Sequence, residues 1–313
     1  MKKIVAIALA LVLCLSLVSF ASAETYKVGV LVPEMTHGWV SGITYYAQQY
    51  AEKLAAEGTI EYKVYICTNA ETMTSAMDEA ILWGAQGLVL SPQWTGMEVP
   101  VQDAIDQGVV VVAFDMDIAA DGVYIVTGDN KSMGVAGAKF IVEKIGTEGT
   151  VVAMPVPKAG SVNDLRMEGF KETMAELAPN VTIIEAANES FSNEVGHAVM
   201  ADVLTANDKI DAVYSLDDET SLGAVQAIAE AGRTDVKAIT GGGGCQNYFK
   251  VIKETEIPAC SSQLYSPMMI ENCFDVVLAV LNGETPDAVV VIPSANVDAS
   301  NVDEYLDANN TIY

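Results

Sequence analysis

The sequence predicts an α/β protein made of two similar parallel-sheet lobes, and three observations carry that expectation. Short β-branched runs alternate with longer stretches of helical period, the pattern of an α/β fold. The runs are apolar throughout, as suits parallel strands covered on both faces. About five such runs precede residue 128 and about five follow, with no Pro/Ser-rich linker, repeat or low-complexity tract between them. A chain of 313 residues, 51% apolar, has material for a large core and about two domains.

Taken in order, the first strand is Tyr26 to Val32, followed by a helix from about Gly38 to Glu57. Strands then fall at Tyr62 to Cys67, Gly87 to Leu90, Val109 to Phe114 and Val123 to Val126, with helices near Ala70 to Gly84 and Met97 to Gln107. After a helix from about Lys131 to Ile145 the alternation repeats. Strands are expected at Thr150 to Met154, Val181 to Glu185, Ala212 to Leu216, Val236 to Thr240 and Ala259 to Gln263. The intervening helices lie near Asn163 to Leu177, Asn193 to Ala206, Glu219 to Ala231 and Cys245 to Glu254. A helix over about Pro267 to Leu281, a strand over Val289 to Ile292 and a short turn over Val302 to Leu306 complete the pattern.

The first 23 residues read as an address. Lys2 and Lys3 precede an apolar run from Ile4 to Phe20, and Ala21-Ser22-Ala23 fits a signal-peptidase site. An uncleaved anchor and lipidation at Cys14 are the alternatives. Cleavage after Ala23 leaves 313 − 23 = 290 residues and a formal charge of 14 − 42 = −28. The expected location is outside the cytoplasmic membrane, in the periplasm or on the membrane's outer face.

With 16 basic and 42 acidic side chains and a pI near 4.1, the chain lacks the clustered Lys and Arg that nucleic acid requires. The same balance disfavours docking on an anionic membrane. Cys67, Cys245, Cys260 and Cys273 remain after cleavage; one bridge among the last three and four free thiols are both open readings. No CxxC or Cys/His cluster occurs, so no metal site and no cofactor is expected.

In open parallel sheets, ligands bind at the carboxyl ends of the strands, so the residues just after each strand are the informative ones. They are His37 and Trp39 after the first strand, Ser91 and Trp94 after the third, and Asp115 after the fourth. The second half offers Arg166, Phe191, Asp217, the glycines Gly241 to Gly244, and Gln263. Aromatic faces stack on the C–H faces of a sugar, and carboxylates, amides and a guanidinium bind its hydroxyls. Each residue also has an ordinary structural reading. Trp39 could start a helix core, Trp94 could cover its lobe, and Phe191 could be a hydrophobic staple. Asp115 and Asp217 could be cap or turn acids, and Arg166 could pair with Glu168 or Glu172. The glycines match neither GxxxxGK[ST] nor GxGxxG, and read as a tight turn that lets a ligand approach the backbone.

Taken together, these residues resemble the periplasmic sugar-binding proteins of the ribose/galactose type, the type I periplasmic binding proteins, over Tyr26 to about Tyr305. The likeness rests on Trp39, Ser91-Pro92, Asp115, Arg166-x-Glu168-Gly169-Phe170, Phe191, the run Asp217 to Ala224, and Gln263-Leu264. It implies two Rossmann-like lobes joined by three crossings near Gly128, Gln263 and Val291. One lobe would hold residues 24–128 and 263–290, the other residues 129–262 and 291–313. It also implies a monomer that closes on a small ligand, a sugar, and docks on an ABC permease. By the same likeness His37 and Trp39 supply polar and stacking contacts, and Ser91, Asp115 and Gln263 bind hydroxyls. Arg166, Phe191 and Asp217 act from the second lobe. Three positions depart from the ribose pattern: Asp115-Met116 replaces Asp-Arg, Gly241-Gly242 replaces Phe-Asp, and Asp217 replaces Asn. The implied pocket is rebuilt, with extra room at the glycines for a ligand other than plain ribose.

A non-sugar ligand such as a nucleoside, a polyol or a signal molecule is an alternative within the same fold, as is delivery to a membrane receptor. A secreted hydrolase is disfavoured, because no Gly-x-Ser-x-Gly elbow or zinc motif occurs and the chain has 2 histidines. The expectation is a binding protein, not an enzyme.

Overall fold

The structure, a computed structural model, describes residues 25–35, 38–310 and 313. The expected signal peptide with Cys14, and His37, lie outside the described residues.

The chain forms two six-stranded sheets. The first comprises β1 (Tyr26–Pro33), β2 (Ile60–Cys67), β3 (Gly87–Leu90), β4 (Val110–Phe114), β5 (Tyr124–Gly128) and β11 (Val289–Ile292). Their spatial order is β11-β5-β4-β3-β1-β2, with every pairing parallel. The second comprises β6 (Glu148–Met154), β7 (Asn180–Glu185), β8 (Ala212–Ser215), β9 (Ala238–Gly243), β10 (Ala259–Leu264) and β12 (Asn296–Asp298). Their order is β12-β10-β9-β8-β6-β7, parallel except for β12, which runs antiparallel to β10.

The inner strands have two covered faces, as their apolar composition demands. Alternate residues of a strand point to opposite faces. Val28, Val30 and Val32 of β1 pack under helices α1 (Gly38–Ala56) and α9 (Glu271–Leu281) through Ile43, Ala47, Phe274 and Val277. Leu31 faces the other way, toward α2 (Ala70–Trp83) and α3 (Glu98–Asp106) through Met73, Met77 and Val101. The second sheet repeats the plan. Helices α4 (Asn130–Ile145) and α5 (Ser161–Leu177) cover one face through Ile141, Met167 and Phe170. Helices α6 (Asn193–Ala206), α7 (Asp218–Glu230) and α8 (Gln246–Glu254) cover the other through Met200, Ala227 and Phe249.

Helix ends follow local chemistry. Asn69 and Thr72 form a reciprocal capping box on α2, which stops at Gly84 in the left-handed region. Asp129 caps α4 and Asp217 caps α7 through backbone N–H groups.

The chain passes between the sheets three times: from β5 into α4, after β10, and from β11 to β12. Pairing of β10 continues through Leu264 and that of β11 through Ile292. Gln263 therefore lies in the second sheet and Val291 in the first, each a residue or two on the other side of its expected boundary. Strand β9 also runs past Thr240. Gly241, Gly242 and Gly243 pair with Ser262, Gln263 and Leu264, so the glycines are strand rather than the expected turn. Residues 267–270 form a 3-10 turn ahead of α9, and β12 was not legible in the pattern.

Cys67, Cys245, Cys260 and Cys273 are free and buried, which decides between the two readings of the thiols. Burial pushes Cys67 up to about 11 and Cys245 and Cys260 up to about 12, well above the range where a thiolate forms at neutral pH. Among the described residues, no helix is long and apolar enough to cross a membrane.

Candidate functional site

A cleft of about 840 Å³ lies between the lobes at the carboxyl ends of the strands. Trp39 and Asp115 reach it from the first lobe, and Arg166, Phe191, Asp217 and Gly242 from the second. These six of the sequence-expected residues share one cavity although they come from separate strand ends.

Trp39 enters in the first turn of α1 and is half-buried. Its indole N–H donates to the Tyr265 carbonyl at 2.7 Å. The ring stacks on Phe114 with centroids 5.9 Å apart and 17° between planes. Asp115 follows β4 directly with φ 71, a left-handed conformation that Asp tolerates better than most residues. Its N–H donates to Val126 O at 2.8 Å, and its carboxylate accepts the Tyr265 hydroxyl. Burial raises its pKa, while the Tyr265 hydrogen bond and the nearby Arg166 charge act the other way.

Arg166 sits in α5, buried against α4. The helices meet closely because Gly134 lies directly on the Arg166 carbonyl, where a methyl group would overlap it. The guanidinium donates from Nε to Asn130 Oδ1 at 2.9 Å and from Nη1 to Leu216 O at 2.8 Å. It stands 4.9 Å over the Tyr265 ring, within cation–π range. Its sequence neighbours Glu168 and Glu172 pair with Lys131 instead, at 2.7 and 2.8 Å.

Phe191 precedes Ser192, the N-cap of α6, and shows its half-buried ring to the cleft. Asp217 faces the cleft but is also a cap, its two carboxylate oxygens accepting from Glu219 N and Thr220 N at 3.1 Å each. Asp218 is fully buried, with one oxygen accepting from Gly244 N, Cys245 N and Ser262 Oγ, each at 2.8 Å. Its other oxygen has no hydrogen-bond partner, and burial is the main cause of a pKa pushed up to about 7. Glu219 is half-buried on the cleft wall, raised to about 7 by burial and then by Asp217 and Asp218. Its carboxylate reaches across to Gly38 at the start of α1, where a methyl group would collide with it.

Four expected residues are not on the cleft wall. Ser91 is fully buried between strand ends, with its N–H on Leu31 O at 3.0 Å; Gln93 lines the cleft in its place. Trp94 packs on the apolar cluster beneath α2 and α3. Gly241 faces Asp218 and Tyr248 inside the second lobe. Gln263 turns along the sheet edge, donating to Asn296 Oδ1 at 2.8 Å and Ser261 Oγ at 3.2 Å. The extra room expected at the glycines is taken by the chain itself: Met133 covers Gly242 and the Tyr313 hydroxyl covers Gly243.

Sequence reasoning missed Tyr265, Asn130, Glu219 and Tyr313, all of which line the cleft. Tyr265 had a usable signal, since it follows a strand end as the chosen residues do. Tyr313 had none, because only the tertiary fold brings it to Gly243.

Residues 28–285 match the family described as periplasmic binding protein domain. The D-allose-binding periplasmic protein of Escherichia coli is 28% identical over 188 residues, 57% of this chain and 60% of that protein. The chain thus spans about three fifths of that relative's length. The galactofuranose-binding protein of the same organism is 28% identical over 273 residues, 82% of each chain. A periplasmic ribose ABC transporter structure from Conexibacter woesei superposes with a TM-score of 0.80 at 19% identity, over 91% of this chain and 96% of that one.

Proposed function

Because the chain belongs to the periplasmic binding protein domain family, we propose that it is an extracytoplasmic solute-binding protein of an ABC importer, which captures a small carbohydrate between its lobes and delivers it to a membrane permease. The observation that carries this reading is the placement of Trp39 and Asp115 on one wall of the cleft and Arg166 and Phe191 on the other. The two rings offer stacking faces for a sugar's C–H surfaces. Asp115 offers a carboxylate oxygen besides the one that accepts Tyr265, and Arg166 offers the amino group besides the two nitrogens already bonded. Hydrogen bonds from hydroxyls to such charged partners are about twice as strong as neutral ones.

Closure follows from where these groups stand. A ligand shifts an open–closed equilibrium only by its differential affinity for the two states. A sugar that meets Asp115 and Arg166 together makes both contacts in the closed form alone. The curated relatives named above are binding proteins for aldoses, which supports a monosaccharide ligand and a role without catalysis. The Lys2-to-Ala23 leader supports export to the outer side of the cytoplasmic membrane.

A thermal-shift screen of the chain from Glu24 onward against pentoses, hexoses, polyols, nucleosides and amino acids tests the proposal. A ligand at 100 times its dissociation constant adds about 2.7 kcal/mol to native stability, a shift of a few degrees for this size. A shift confined to sugars is the expected result. Shifts confined to nucleosides or amino acids overturn the carbohydrate assignment and leave the binding-protein assignment standing.

A further inference from the structure

Tyr265 is the first residue after β10, on the second passage between the lobes. Its ring packs directly against Gly128 at the end of β5, on the first passage, where a methyl group would overlap it. Glycine is the residue that allows the two passages to touch at this point.

The phenol oxygen is fully used. It donates to the Asp115 carboxylate, and it accepts from Gly128 N at 3.3 Å and Asn130 Nδ2 at 3.4 Å. Thr127 Oγ1 stands 3.2 Å away as well. A hydroxyl has one proton and two lone pairs, so this one has no capacity left for a ligand. Tyr265 lines the cleft, yet its polar atom serves the protein.

Its other contacts point the same way. The Arg166 guanidinium rests over the ring at 4.9 Å, and the Trp39 indole donates to the Tyr265 carbonyl at 2.7 Å. Asp115 and Trp39 belong to the first lobe and Arg166 to the second. One residue of the hinge therefore holds three cleft groups that belong to different lobes. A lobe rotation that parts Arg166 from Asp115 must break the stack, the phenol bond or the contact on Gly128.

We propose that Tyr265 is a positioning residue that couples the cleft to the hinge: its phenol and ring hold Asp115 and Arg166 in register, so that ligand contacts at those two groups are felt directly by the crossing segments. The part concerning ligand rests on the carbohydrate-binding reading; the part concerning Asp115 and the hinge does not.

Tyr265→Phe is the test, because it keeps the ring on Gly128 and under Arg166 and removes only the hydroxyl. Two measurements need no ligand. In carboxyl-carbon NMR the Asp115 titration moves to higher pH in the variant, since a hydrogen bond that favours its charged form is gone. In small-angle X-ray scattering the ligand-free variant shows a wider mean separation of the lobes. Loss of packing alone moves neither, because the ring remains. With D-allose and D-ribose as calorimetric probes, affinity falls by about 10-fold or more in the variant. An unchanged Asp115 titration, an unchanged scattering profile, or a probe affinity equal to wild type overturns the proposal. If neither sugar binds the wild-type protein, the carbohydrate reading falls, and the two ligand-free measurements still decide the role of Tyr265.

Discussion

The two lobes share a sheet order and a helix-covered plan, yet they bury different chemistry. Among the described residues, the fully buried polar side chains of the first lobe are Thr44 and Ser91. The second lobe and the segment after it bury Arg166, Asp211, Asp217, Asp218, Thr240, Ser262, Gln263 and further polar groups. The first lobe is held by apolar burial, which is indifferent to pH. The second is held partly by a hydrogen-bonded network around carboxylates, whose strength depends on their protonation. One fold, used twice, carries an apolar interior behind one wall of the cleft and a titratable one behind the other.

Breaking the network should have the largest effect. Arg166→Ala leaves Asn130 Oδ1 and Leu216 O without their donor and removes the cation facing Asp115 and Asp217. Removing one partner of a buried charge arrangement costs about 3–5 kcal/mol, so urea denaturation should show a severe loss of stability together with the loss of sugar binding. A variant that unfolds like wild type would mean that the guanidinium is dispensable to the second lobe. Leu88→Ala, a fully buried truncation in the first lobe, should cost about 2–5 kcal/mol. Its cost should be the same at pH 5 and pH 8; a pH-dependent cost would erase the contrast between the lobes.

Asp218 sharpens the contrast. Its folded pKa, about 7, lies above its ordinary value, so the neutral form is favoured in the native state. Such a group stabilises most below its unfolded pKa, and the contribution is lost as pH rises through the folded pKa. Glu219 has the same sign and also stands at about 7. Asp235, held well below its ordinary value by Arg233, acts oppositely and is lost only on acidification below about 4. The melting temperature should therefore rise as pH falls from 8 toward about 5. Asp218→Asn keeps an acceptor for the Gly244, Cys245 and Ser262 donors. It should flatten about half of that dependence, with Glu219 carrying the rest, and raise stability at pH 8 by on the order of 2 kcal/mol. A calorimetric pH series that slopes equally in variant and wild type would assign the titration elsewhere. The smallest effect belongs to stacking: Trp39→Ala should weaken sugar binding by about tenfold, or about 1.4 kcal/mol, as read by isothermal titration.

The sequence was most legible where one physical signal dominates. Apolar runs and helical period located the strands and helices to within a few residues, most plainly for the inner strands β1, β3, β4 and β8, which are buried on both faces. Strand ends then pointed to Trp39, Asp115, Arg166 and Phe191. The failures share a cause. Ser91 and Gln263 stand at strand ends, but which way a residue faces there depends on neighbouring strands, here Leu31 and Asn296. The glycines read as a turn because their local propensity favours one; pairing with β10 overrides it. Tyr313 reaches the cleft by a path that no local pattern encodes. Asp217 was readable as a cap acid or as a ligand group; the structure shows the cap and places the same residue on the cleft wall.

The interleaving of the chain bears on the order in which the molecule can be built. The first sheet ends in β11, residues 289–292, and its face is sealed by α9, residues 271–281. Both emerge only after strands β6 to β10 of the second lobe have been synthesised. A nascent chain of 250 residues therefore holds the first five strands of its amino-terminal lobe with one edge unpaired and Val28, Val30 and Val112 uncovered by Phe274 and Val277. That lobe cannot finish early. The body stays incomplete until its last fifth arrives, so that delayed completion is written into the connectivity itself.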